Sequence, residues 1–170
     1  MSAELKEKLD STTLAQFQAR QIVKASLFMA KFVESTREDK LRWRPSTEES
    51  SCTRSVLEQV GECIFANIRF RHFLQGETAP APPADWDSFT SAADAVSQLR
   101  DSADRLAVVI AAMDNESLSK NYTTHRGPMP GALAIQFPLR NMTYHIGQIN
   151  MIQLLYGDKE FHIDEEFVTL

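Results

Sequence analysis

The sequence predicts an all-α fold, an up-and-down four-helix bundle formed by one domain over residues 1–170. Apolar residues recur at helical spacing in four long stretches, and no run shows the convincing alternation of a strand. Polar or proline-rich segments separate the four stretches. A chain of 170 residues is also long enough to bury a core of its own.

The first two helices are separated by a polar loop. Thr13 followed three residues later by Gln16 is a capping-box pattern, so the first helix is predicted over residues 13–35. The segment TREDKLRWRPSTEESSC that follows is polar and contains a proline, which predicts a loop. The second helix is predicted over residues 53–75, where apolar residues recur every four positions: Val56, Val60, Ile64 and Ile68.

Two further connections precede the third and fourth helices. The segment GETAPAPPADW is rich in proline and cannot continue a helix, so it is predicted to be a crossover linker. Ser88 is the predicted cap of the third helix, over residues 88–113, whose apolar residues alternate steps of three and four. After the turn-rich segment NESLSKNYTTHRGPMPG, the fourth helix is predicted from Ala132 or Pro138 to Tyr156.

Composition excludes several classes of function. The net charge of −5 is spread along the chain without a basic stripe, so nucleic acid is not an expected partner. No apolar run approaches the ~20 residues that a membrane span needs, and the first residues lack the apolar centre of a signal peptide, so we expect a cytoplasmic protein. Cys52 and Cys63 are too few for a disulfide framework and are interpreted as free thiols.

Two polar side chains interrupt the apolar face of the fourth helix. In NMTYHIGQINMIQLLYGD, Asn141 and His145 are four residues apart and therefore lie on the same face. That face is otherwise apolar, and a buried polar group without a partner costs roughly 1 to 3 kcal/mol. Asn141 and His145 are therefore expected to bind something inside the bundle.

Four phrases of the sequence carry a family resemblance. KLRWRPS before the second helix, RSVLEQVGECIFAN within it, and HIGQI followed by LLYGD near the end resemble the DinB-like (DinB/YfiT) superfamily. The resemblance covers nearly the whole chain and implies a bundle of the DinB/YfiT type. It also implies a divalent metal, usually zinc or nickel, held by three histidines, and a thiol-dependent transferase or isomerase activity. Dimers are common in that family.

Only one of the three implied histidines is present. His145 matches one position, Asn141 stands at the second, and Glu62 at the third, although the alignment can slip onto Gln59. Glu62, Asn141 and His145 are thus predicted to converge on one point, with Gln148 available to orient the imidazole. Asparagine is a poor zinc ligand, so we expect a water or a direct hydrogen bond there more often than a retained metal.

These observations leave two hypotheses of function open. In the first, the chain is a non-catalytic homodimer or small-ligand binder with a polar cavity and a degraded or altered metal site. In the second, it is a metal-dependent enzyme, such as a thiol-dependent S-transferase acting on a small electrophile. The homodimer is expected because the second helix is apolar on more faces than one core can use. His125, in THRGPMPG, is a further candidate contact for a substrate or metal.

Overall fold

Four long helices form the body of the protein. The computed structural model describes residues 12–48, 52–124, 127–160 and 162. The long helices are α1 (Leu14–Ser35), α2 (Val56–Gln75), α3 (Ala92–Ala111) and α6 (Phe137–Leu155). The short elements are a 3₁₀ helix (Glu38–Lys40), α4 (Asn115–Ser119), β1 (Asn121–Thr124), β2 (Gly127–Pro130) and α5 (Gly131–Ala134). The predicted all-α four-helix bundle is confirmed.

Capping side chains determine where the first two long helices begin. At the start of α1, the hydroxyl of Thr13 accepts from the backbone N–H of Gln16 at 3.1 Å, and the Gln16 side chain accepts from Thr13 N–H at 3.2 Å. This is the predicted capping box. In α2, Ser55 and Glu58 form a second one, so that helix begins at Val56 rather than at residue 53.

The third helix begins later than predicted. Its cap is Ser91, whose hydroxyl accepts from the backbone N–H of Asp94 at 3.1 Å, and not Ser88. The Asp94 carboxylate in turn accepts from the backbone N–H of Thr90 at 3.0 Å. Two serines three residues apart both fit a cap pattern in the sequence, and the acidic residue three positions after Ser91 selects the second.

The long helices do not alternate in direction. The ends of α1 and α6 meet, because the Gln153 side chain donates to the carbonyl oxygen of Phe32 at 2.9 Å. The loop after α1 instead meets the starts of the other two helices: Leu57 N–H donates to the Leu41 carbonyl at 3.2 Å, and Arg42 donates to the Phe89 carbonyl at 2.7 Å. The helices therefore run up, down, down, up, which corrects the predicted up-and-down connectivity.

The linker of residues 76–91 makes this arrangement possible. Because α2 and α3 run in the same direction, the linker must return along the length of α2. A 20-residue helix is about 30 Å long, whereas an extended linker of this length reaches about 50 Å. Both α3 and α6 pack against α1 and against α2, so α1 and α2 occupy opposite corners of the bundle.

A small hairpin lies in the turn-rich connection, where no strand was predicted. Strands β1 and β2 are antiparallel, and Tyr122 pairs with Met129. Each strand has only four residues, too few for an alternating pattern to be recognised in the sequence. Among the described residues no helix is long and apolar enough to cross a membrane.

Aromatic contacts cover the extra apolar surface of α2. The ring of Phe65 lies 5.5 Å from that of Trp86 in the linker. Further along the helix, Phe70 stacks on Phe137 at 5.8 Å, and Phe73 lies 5.4 Å from the ring of Tyr122. Much of the apolar surface that predicted a dimer through α2 is therefore covered within the chain.

Gly61 allows the linker to approach α2 closely. A Cβ at position 61 would overlap the backbone carbonyl oxygen of Trp86. Gly147, the other glycine inside a long helix, is exposed, and a Cβ there would meet no atom within 4 Å. The close approach expected of a helical glycine thus occurs at Gly61, where a side chain cannot be accommodated without moving the linker.

These two glycines predict opposite effects for the same substitution. Gly61→Ala should lower the free energy of unfolding by about 1 to 3 kcal/mol, because the new methyl group would overlap the Trp86 backbone and force the linker to move. Gly147→Ala is the matched control and should raise it by up to about 1 kcal/mol, the helix-propensity gain of alanine over glycine. Urea unfolding of both variants checks this, and equal stabilities would contradict the close approach.

Candidate functional site

A cleft of about 560 Å³ opens between the start of α2 and the second half of α6. Its polar lining includes the predicted residues Glu62 and His145, while Asn141 is not among the lining residues. The remaining lining side chains are Pro45, Cys52, Thr53, Arg54, Gln59, Tyr144, Gln148, Met151, Ile152 and Leu155. The antiparallel contact of α2 and α6 therefore brings two of the three predicted residues to one cleft.

His145 is held between two glutamine side chains. Its residue surface is 2% exposed, and its Nδ1 lies 3.0 Å from Oε1 of Gln148. The same ring nitrogen contacts Oε1 of Gln59 on α2. Because both amide oxygens contact Nδ1, they fix the orientation of the imidazole ring. The other ring nitrogen, Nε2, is left facing the cleft. The predicted role of Gln148 in orienting His145 agrees with this geometry.

The His145 side chain is neutral at neutral pH. Burial lowers its pKa from 6.5 to about 4, the hydrogen bond with Gln148 acts in the opposite direction, and the positive charge of Arg54 lowers the pKa further. The nearby Glu62 carboxylate would favour a protonated ring, but it is already paired with Arg54. The effect of burial on the pKa of His145 is therefore larger than the effect of the carboxylate.

Glu62 and Arg54 form an ion pair beside the imidazole. Oε2 of Glu62 lies 3.4 Å from Nε2 of His145, and the same oxygen contacts the Arg54 guanidinium. The Glu62 side chain is 27% exposed, so it is not in bulk solvent. On its other side, the Arg54 guanidinium lies 5.7 Å from the centre of the Trp86 ring, within cation–π distance.

Asn141 lies apart from this cluster. It is one helical turn before His145 on α6, and its Oδ1 is buried without a hydrogen-bond partner among the described residues. Because α2 and α6 are antiparallel, the next contact in that direction is Phe137 on Phe70, not Glu62. The convergence of Asn141 with Glu62 and His145 therefore stays a prediction, while Asn141 itself does not line the cleft.

Arg54 is the cleft residue that the sequence reasoning missed. It precedes α2 directly before the Ser55 cap, at a helix start where a positive charge is unfavourable to the helix dipole. A cation in that position is a signal that a specific partner holds it. Gln59, considered as an alternative alignment to Glu62, is brought to His145 as well.

The two cysteines differ in their relation to the cleft. Cys52 is exposed and lines the cleft, whereas Cys63 is fully buried on α2. Burial raises the pKa of the Cys63 thiol, so it stays protonated and unreactive. His125 lies outside the described residues.

The family of the chain follows from comparison with known sequences. The family model of the DinB superfamily matches residues 28–149, a range that spans α2, α3 and the His145 segment. The chain belongs to the DinB superfamily. A search of curated proteins gives no match.

The described residues do not fit the three-histidine metal site that the DinB resemblance implies. No three His, Cys, Asp or Glu side chains among them lie close enough to hold a metal ion. The imidazole of His145 and the carboxylate of Glu62 remain, and that carboxylate is already paired with the Arg54 guanidinium. Zinc and nickel bound in the DinB manner require a third strong ligand, which an amide does not supply.

The buried imidazole predicts a pH dependence of stability. Its folded pKa, about 4, lies below the unfolded value near 6.5, so the unfolded chain binds more protons between these values. We expect roughly 2 to 4 kcal/mol of stability to be lost as the pH falls from 6.5 to 4. Urea unfolding at pH 7 and pH 5 should show a smaller loss for His145→Gln than for the unsubstituted protein. An NMR titration with a His145 midpoint near 6.5 would contradict the prediction.

Proposed function

We propose that this DinB-superfamily protein binds a small molecule in the cleft between α2 and α6. The observation that supports this proposal is the oriented imidazole of His145, held by Gln59 and Gln148 at the base of an open cleft. The cleft volume of about 560 Å³ falls within the range of small-molecule sites. The polar groups are few and converge, as in sites that fix a ligand's orientation.

The lining indicates the class of ligand. Tyr144, Met151 and Leu155 offer an apolar wall along α6. The charges of Arg54 and Glu62 offset each other, and the imidazole is neutral, so the described residues that line the cleft contribute no net charge. We therefore propose a ligand with an apolar body and an uncharged head group that both donates and accepts hydrogen bonds.

Binding is better supported than the thiol-dependent transfer implied by the resemblance. A transferase of that type uses a divalent metal, and the site's donors do not fit one. An imidazole with a pKa of about 4 is also a weak general base at neutral pH. No transfer step is therefore assigned to the cleft residues.

Three probes with the same apolar chain and different head groups test the ligand class. Hexanamide, hexanoate and hexylammonium are titrated into ¹⁵N-labelled protein, and amide shifts are followed by NMR. We expect hexanamide to give the largest saturable shifts, localised to the residues around Gln59, Glu62 and His145, because the described lining has no net charge that would compensate a charged head group. The absence of localised, saturable shifts with all three probes would overturn the proposal.

A pair of variants provides the control for this titration. Met151→Ala shortens the apolar wall and should weaken hexanamide binding. Val108→Ala removes a similarly exposed apolar group from α3, outside the cleft lining, and should leave binding unchanged. Equal affinities of the two variants would show that the probe binds elsewhere.

We also propose that the protein forms a homodimer through the exposed surface of α6 that borders the cleft. Exposed large apolar side chains concentrate on this helix, and all but Leu154 also line the cleft: Tyr144, Met151, Leu154 and Leu155. A second copy that packs against them would remove contiguous apolar surface from water. The proposed interface is therefore on α6, whereas the sequence predicted one on α1 or α2. A cytoplasmic location stays a prediction from the sequence.

The dimer is tested by light scattering at tens of micromolar protein. The unsubstituted protein should be dimeric and Leu154→Glu monomeric, because the new carboxylate would be buried at the interface. Val108→Glu, an equivalent change on α3, should remain dimeric. A monomeric unsubstituted protein at that concentration would contradict the homodimer.

A further inference from the structure

The guanidinium of Arg54 is fixed by two groups. Its Nη1 contacts Oε2 of the Glu62 carboxylate, and its central carbon, Cζ, lies 5.7 Å from the centre of the Trp86 ring. The Trp86 backbone is in turn seated against α2 at Gly61. The positive charge is therefore held at a defined point of the cleft, although the residue itself precedes the helix.

Glu62 and His145 are arranged like two ligands of one cation. Oε2 of Glu62 and Nε2 of His145 are 3.4 Å apart. Two ligands that bind a tetrahedral metal at about 2.1 Å lie about 3.4 Å from each other. A carboxylate oxygen and an imidazole lone pair at this distance attract a cation, and the cation that the chain supplies is Arg54.

We infer that the Arg54 guanidinium takes the place of a divalent cation at the Glu62–His145 pair and keeps metal ions from binding there. A guanidinium remains positively charged at every physiological pH, so it neutralises Glu62 permanently. A divalent ion entering this pair has to displace Arg54 from the carboxylate or approach a like charge. This inference does not depend on any molecule that binds in the cleft.

Removal of the charge at position 54 should uncover a metal site. Without the guanidinium, Glu62 and His145 present one carboxylate and one imidazole at ligand spacing, and water can complete the coordination of a Co²⁺ ion. Cobalt(II) is the suitable probe, because it takes zinc-like geometries and absorbs visible light when it is bound by protein ligands.

The experiment compares Co²⁺ binding by untagged protein, Arg54→Gln and Arg54→Lys. Calorimetry and visible absorption should show binding by Arg54→Gln roughly tenfold or more tighter than by the unsubstituted protein, because a like charge a few ångströms from the metal has been removed. Arg54→Lys keeps the charge and should bind as weakly as the unsubstituted protein. Circular dichroism establishes that each variant is folded.

Two controls identify the site and the cause. Arg105→Gln also frees a carboxylate from a guanidinium, that of Asp101, but no histidine is part of that pair, so Co²⁺ affinity should not rise. Adding Glu62→Gln to Arg54→Gln should abolish the gain. The inference is overturned if the unsubstituted protein binds Co²⁺ as tightly as folded Arg54→Gln, or if Arg54→Lys gains as much as Arg54→Gln.

Discussion

The contact of the linker with Gly61 is the constraint on which the cleft depends. Because α2 and α3 point in the same direction, the chain has to return along α2 before α3 can begin. The missing side chain at Gly61 lets the Trp86 backbone lie directly on α2, which places the indole ring beside Arg54. The close packing of the linker against α2 thus helps to hold the Arg54 guanidinium at the cleft.

The second determinant is the antiparallel contact of α2 and α6, which buries an imidazole between helices. A buried imidazole needs hydrogen-bond partners, and Gln59 and Gln148 supply them from opposite sides of that contact. Burial keeps the ring neutral, and among the described residues that line the cleft the formal charges are those of the paired Glu62 carboxylate and Arg54 guanidinium. The cluster is consequently polar and well oriented without a net charge.

Helical spacing and capping patterns predicted the long helices because they are local properties of the sequence. Helix direction is not a local property, because the same apolar periodicity fits a helix that runs up or down. The parallel arrangement of α2 and α3 could therefore not be predicted from the periodicity. The Glu62–His145 approach was predicted through the family resemblance. Asn141 shares a helix face with His145 on α6, but it lies one turn earlier and does not line the cleft.

A guanidinium in the place of a metal would change what such a cleft can do. A bound metal accepts electron pairs and lowers the pKa of a coordinated water, which creates a nucleophile at neutral pH. A guanidinium only donates hydrogen bonds and supplies charge. If Arg54 occupies the cation position between Glu62 and the cleft, the site keeps the means to orient a polar ligand but lacks a Lewis acid to activate it. Under this proposal, Arg54 and the lack of a third strong ligand together account for a cleft that binds a molecule without a metal.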